Sequence, residues 1–123
     1  MHYKDVARIV HSVVREYNIL HNIPGDNFTW YRMSPDYRIS IEESVKREME
    51  NPAKSPAESH EKWLKARIDD DWVWGPHKSQ EMKTHPCIVP YDELPPVQKF
   101  KDTIFSKMVA LLKDAPPVEK RNG

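Results

Sequence analysis

Trp72 and Trp74 stand two residues apart in the stretch "IDDDWVWGPHKSQEMKTHPCIVPYDELPP", and His77, Lys78, Lys83 and His85 all fall within the eleven residues that follow Trp74. Glu81 alone opposes them, so the loop is a positive island. A flat indole beside movable cations suits recognition of an aromatic, anionic small molecule such as a nucleotide, the ring stacking and the cations meeting phosphate. The same residues also suit simpler roles. A small domain needs tryptophans for its core, and lysines keep a loop in water. On residue types alone both readings stand.

Other chemistry is less well supported. His77 and the run His85-Pro86-Cys87 lack the tight ligand spacing of a structural metal site, and a buried imidazole hydrogen-bonded to backbone is the simpler reading. His60-Glu61 offers a base, but no serine, cysteine or lysine is tied to it by spacing. Asp69, Asp70 and Asp71 are consecutive, so they point in different directions and do not form a cation loop. With 3 glycines and no phosphate-loop, dinucleotide or nucleophile-elbow motif, the chain has no glycine-rich cradle. The expectation is a protein without catalytic residues, metal or cofactor.

The composition narrows the partners. The 19 basic and 19 acidic side chains cancel, which argues against wholesale binding to nucleic acid or to an anionic membrane, both of which need a positive face. Any anion site must be local. One cysteine, Cys87, excludes an internal disulfide and fits a reducing compartment. The N-terminal residues show neither an apolar signal core nor a cleavage site, and no stretch is apolar enough to span a bilayer, so a cytoplasmic protein is expected.

Elements to position these residues can be read from spacing. Val6, Ile9, Val10, Val13, Val14, Tyr17 and Leu20 recur at three- and four-residue steps and predict a first helix that Pro24-Gly25-Asp26 ends. Asn27 to Arg38 has no period and reads as an ordered loop anchored by Phe28, Trp30 and Tyr31. Ser40-Ile41-Glu42-Glu43 fits a capping box opening a second helix, with Ile41, Val45 and Met49 inward. Ser55-Pro56-Ala57-Glu58 repeats that pattern for a third helix, with His60, Trp63, Leu64 and Ile68 on one side and the aspartates at its stop. Trp72-Val73-Trp74 reads as an extended step with both indoles on one face, and "CIVPY" (Cys87 to Tyr91) as a second extended segment. A final helix from Leu94 or Pro95 would bury Val97, Phe100, Ile104, Met108, Leu111 and Leu112, with a disordered tail over residues 114–123. Four helices and one small extended patch make a single α-dominated α+β domain over residues 1–113.

The segment "HEKWLKARIDDDWVWGPHKSQEMKTHPCIVPYDELPPVQKFKD" resembles the RyR domain, the repeat named after ryanodine receptors. The resemblance rests on His60, Glu61, Trp63 and Arg67, on Trp72, Trp74 and Gly75, and on Lys83, His85, Pro86, Val89, Pro90, Tyr91, Leu94 and Pro95. With "DVARIVHSVVREY", Trp30 and Ser40, it is similar to free-standing single-repeat versions from bacteria and phages over residues 3 to 113. Two positions depart: Asp71 stands where the pattern has glycine, and Trp74 where it has tyrosine. The resemblance implies an α-dominated fold without catalysis. It also implies adenine-nucleotide binding between tryptophans of paired repeats, the first matching Trp72, which a single repeat reproduces by forming a homodimer. On that basis the expected ligand-binding set is Trp72, Trp74, His77, Lys78, Lys83, His85 and Tyr91, with Trp72 stacking a purine, His77, Lys78 and Lys83 near phosphate, and His85 and Tyr91 holding the loop. The competing expectation is a protein-interaction module using an exposed aromatic patch.

Overall fold

In a computed structural model that describes residues 1–23, 25 and 27–117, the chain folds as four helices and one two-stranded sheet. The helices are α1 (Tyr3–Leu20), α2 (Pro35–Glu50), α3 (Pro56–Asp69) and α4 (Pro96–Lys113), and the strands are β1 (Val73–Trp74) and β2 (Thr84–His85). The α-dominated α+β class read from the sequence is the one observed. Two compact units divide the chain: residues 1–52 with 104–123, and residues 53–103.

In the first unit the core is Val6, Ala7, Val10, Trp30, Met33, Val45 and Val109. The stripe read from the sequence on α1 supplies the first and third of these. Ile41 and Met49 pack against the same core beside Val45, as α2's spacing required. Helix α1 stops at Leu20, before the segment expected to end it, because Asn22 adopts a left-handed φ of 55° and the Ile23 N–H returns to the Asn18 carbonyl. Pro24 and Asp26, named as the stop, lie outside the described residues.

Three expectations for this unit need correction. Of the three proposed loop anchors only Trp30 is buried, in a short 3-10 turn over Trp30–Arg32, while Phe28 and Tyr31 are exposed. Arginines fasten this segment from its flanks: Arg15 Nε donates to the Asn27 carbonyl at 2.7 Å, and Arg38 donates to the Met33 carbonyl at 2.8 Å. Helix α2 begins at Pro35, not after Ser40, because Ser34 is the cap and its hydroxyl accepts the Tyr37 N–H. Ser34-Pro35 joins a side-chain acceptor to a proline at the first helical position, where its missing N–H is no loss. Ser34→Ala should therefore lower unfolding stability by about 1 kcal/mol. Ser40→Ala, inside the helix, should leave the urea midpoint nearly unchanged, and equal losses from the two variants would contradict the assignment.

The third correction concerns α4. Its buried residue is Val109, with Phe105, Met108 and Leu112 packed beside the core, whereas Phe100 and Leu111 are exposed. The expected stripe ran one helical position off the packed one, which it shares at Met108 and Leu112. Of the expected tail, residues 118–123 lie outside the described residues, and Ala115 donates its N–H to the Leu112 carbonyl.

The second unit opens as read: Ser55 caps α3 by accepting the Glu58 N–H, with Pro56 at its first position. Lys62 and Lys65 pair with Glu58 and Asp69 one turn away, exposed contacts worth a few tenths of a kcal/mol each. His60 is buried and Trp63 half-buried with its ring stacked 5.5 Å from the imidazole, but Ile68 is exposed and not part of the packed side. The helix ends on Asp70, after which Asp71 takes a left-handed φ of 65°. Aspartate tolerates this conformation better than most residues, so it stands in for glycine. The Asp71 N–H then reaches the Ile68 carbonyl and the Trp72 N–H the Arg67 carbonyl, closing the helix end.

Candidate functional site

This cap hands Trp72 to the interior. Its indole is 4% exposed, while Trp74, two residues on, is 56% exposed. The expectation that both rings share one face fails because the extended run is only Val73–Trp74, with the left-handed Asp71 immediately before Trp72. β1 pairs in parallel with Thr84–His85, Val73 opposite Thr84 and Trp74 opposite His85, so the second extended segment precedes "CIVPY" instead of lying in it. Gly75 permits this approach: a Cβ there would lie 2.7 Å from the Thr84 Cβ.

His85 sits at the middle of the cluster. Its ring meets Trp63 edge-on at 5.1 Å between centroids and lies 6.5 Å from Trp72. Its Nδ1 accepts the Cys87 N–H at 2.9 Å, so the proton of the neutral ring is on Nε2. Burial, helped by the positive charges of Lys78, Lys101, Arg67 and His60, lowers its pKa to about 3. The ring is thus a neutral donor at physiological pH. The Cys87 thiol is pushed up by burial, with Asp102 adding and Lys101 and Lys78 opposing, which leaves it protonated and unreactive.

Above the rings lies Arg67, which the site expected from sequence omitted. Its guanidinium carbon is 5.2 Å from the Trp72 centroid and 5.7 Å from that of Trp63. The signal was available: Trp63 and Arg67 are four residues apart on α3, and so lie on one face of the helix. Trp72 Nε1, buried, has no hydrogen-bond acceptor among the described residues.

The remaining expected residues lie less centrally. Lys83 donates from Nζ to the Asp70 carbonyl at 3.0 Å and pairs with the Asp70 carboxylate at 3.3 Å, so it ties the loop to the end of α3. His77 is exposed, and its carbonyl accepts the Thr84 hydroxyl. Lys78 is exposed yet close enough to depress His85. Tyr91 donates its N–H to Glu61 Oε1, and Lys99 Nζ lies 5.2 Å from its ring centroid.

Behind the cluster His60, 3% exposed, donates from Nε2 to the Val89 carbonyl at 2.7 Å, since a carbonyl only accepts. Its Nδ1 faces Asp102 Oδ2 at 3.6 Å, an ion-pair distance too long for a hydrogen bond. Burial raises the Asp102 pKa to about 6, outweighing the lowering by His60 and Lys101. The imidazole thus joins α3 to the Val89 segment and offers no base to solvent. Among the described residues no three His, Cys, Asp or Glu side chains group as metal ligands, and no helix is long and apolar enough to cross a membrane.

The residues that build this cluster run from His60 on α3 to Asp102 on α4, and the sequence model of the RyR domain matches residues 37–113, more than half the chain, enclosing all of them. The chain belongs to the RyR domain family. The match starts within α2, so α1 and the Trp30 turn, which the resemblance to single-repeat proteins also took in, fall outside the matched range. No curated protein matches the chain. Within the RyR domain, Arg67 lies on α3, Trp72 just past that helix's Asp70 cap and His85 on β2, and backbone bonds from the Trp72 N–H to Arg67 and from the Gly75 N–H to His85 hold these segments together.

Proposed function

We propose that this RyR domain is a non-enzymatic binding module for an anionic, purine-type small molecule, most simply an adenine nucleotide, acting as a sensor or a sequestering protein. The observation that carries the reading is the Trp72 Nε1–H, buried without an acceptor among the described residues. A buried donor left unpaired costs about 1–3 kcal/mol, and a ligand oxygen or ring nitrogen would recover it. Two further features support it: His85 Nε2 carries a proton, and Arg67 brings five N–H donors to the same ring. In this reading Trp72 supplies the stacking ring, Trp74 braces the ligand from outside, and His77 and Lys78 contribute to an outer basic rim, with Lys83 fixing the loop. A homodimer would supply the second tryptophan.

A thermal-shift screen of AMP, ADP, ATP, NAD, ADP-ribose and cyclic oligonucleotides tests this directly. A ligand at 100 times its dissociation constant adds about 2.7 kcal/mol and moves the midpoint by several degrees. Trp72→Phe keeps a ring in place but removes the N–H, and should reduce the shift; an equal shift in the variant, or no shift with any compound, would count against the reading.

One observation favours a second reading, a protein-interaction module. Ile68, Val73, Trp74 and Met82 are all exposed within this one unit, and large aromatics anchor interfaces. Concentration-dependent self-association lost in Trp74→Ala, with no response to any nucleotide, would favour it.

A further inference from the structure

Arg67 has an unusual set of contacts. Its guanidinium lies over two indoles, and among the described residues no carboxylate pairs with it: Glu58, Asp69, Asp70 and Asp102 pair with Lys62, Lys65, Lys83 and His60. A guanidinium is a planar fork of five donors whose best partner is an oxyanion held through two parallel hydrogen bonds. Over an aromatic ring it gains a weaker, less directional attraction. Arg67 is therefore held in its second-best environment.

Its position has a consequence for Trp72. The guanidinium occupies the indole face that a flat ligand would need, and the indole is otherwise closed off, at 4% exposure. The two residues cannot separate far, because the Trp72 N–H is bonded to the Arg67 carbonyl at 2.9 Å. A guanidinium displaced from the ring stays beside whatever displaced it.

We propose that Arg67 gates Trp72 and makes the site selective for ring ligands that carry their own oxyanion. A phosphorylated purine takes the indole face while its phosphate accepts the displaced guanidinium in a bidentate contact. A bare nucleoside must displace the same cation and offers it nothing in return. The proposal rests on the nucleotide reading above and adds the residue that sets its ligand class.

Isothermal titration of the wild-type chain, Arg67→Ala and Arg67→Lys with AMP, adenosine and inorganic phosphate tests it, with circular dichroism confirming that each variant is folded. Wild type should prefer AMP to adenosine by about tenfold or more. In Arg67→Ala, adenosine should bind more tightly and AMP more weakly, so that the preference collapses toward unity. Arg67→Lys should fall between, since it keeps the charge but loses the fork. A merely structural Arg67 would weaken both ligands together, and an unchanged AMP-to-adenosine ratio in Arg67→Ala overturns the gate while leaving nucleotide binding intact. Equal binding of AMP and adenosine by wild type also overturns it. Failure of all three probes with wild type and both variants would remove the nucleotide reading and this proposal together.

Discussion

Trp72→Ala is expected to destabilise the chain by about 3–5 kcal/mol, the cost of emptying a buried tryptophan site. The indole is 4% exposed, has the His85 ring 6.5 Å away and lies under the Arg67 guanidinium, so truncation leaves a cavity and also deletes a cation–π contact. Against the roughly 5–15 kcal/mol by which small domains are stable, such a loss is large. Trp72→Phe should behave differently. It gives up part of the ring volume but also removes a buried N–H with no acceptor among the described residues, and these effects oppose, leaving a change of about 1 kcal/mol or less. Urea unfolding followed at 222 nm distinguishes them. An unchanged midpoint for Trp72→Ala would mean the ring is not packed as described, and a Trp72→Phe loss as large as the alanine loss would mean that Nε1 is satisfied after all.

This pair of variants also shows why the site was only partly legible in the sequence. Composition and motif pointed to the tryptophan step and its following loop, and the family resemblance picked out Trp72. Strand alternation, however, assigned Trp72 and Trp74 to one face, and a run of two strand residues is too short for that rule to govern. The left-handed Asp71 sets the direction of Trp72 instead, and the tolerance of aspartate for that backbone was readable. Arg67 is absent from the expected ligand-binding set, although it carries the family resemblance, because its place over Trp72 depends on how the chain leaves α3 and not on charge clustering in the loop. Lys83 looked like a free cation, yet Asp70 lies within reach only because the chain turns back between them, a fact no local pattern carries. His60 and Asp102 meet across forty-two positions of sequence for the same reason.

The elements were read more faithfully than the contacts. Helix α1 and the Ser55 cap follow from local rules, apolar steps and side-chain acceptors, that act within a turn or two. The start of α2 shows how such rules compete. Ser40-x-x-Glu43 and Ser34-Pro35 both carry a start signal, and the earlier one prevails because nothing between them stops a helix. On α4 apolar residues occupy more than one face, so the periodicity that put Phe100 and Leu111 inward is overridden by packing with residues of α1 and α2, which selects the stripe through Phe105 and Val109.

Acid should act on the second unit through two groups of opposite sign. His85 has a folded pKa of about 3, below its ordinary 6.5, so its contribution is complete above pH 6.5 and is lost as the pH falls toward 3. Such a shift corresponds to at most about 5 kcal/mol, and water reaching the partly exposed ring reduces this to roughly half. Asp102 behaves in the opposite way. Its folded pKa of about 6 exceeds the ordinary 3.8, so it stabilises fully below pH 3.8 and loses that contribution as the pH rises through 6. Its charged form at neutral pH is thus a cost, because burial outweighs the attraction of His60 at 3.6 Å. Between pH 6 and 4 the gain from protonating Asp102 offsets part of the loss from charging His85, and the wild-type acid transition should be shallow. Asp102→Asn removes the offset. It should be more stable than wild type by about 1–2 kcal/mol at pH 7.5, lose that advantage by about pH 4, and show the steeper fall between. Urea midpoints at pH 7.5, 5.5 and 4 decide the matter, and an Asp102→Asn variant less stable than wild type at pH 7.5 would show that the His60 pairing outweighs the burial of the carboxylate.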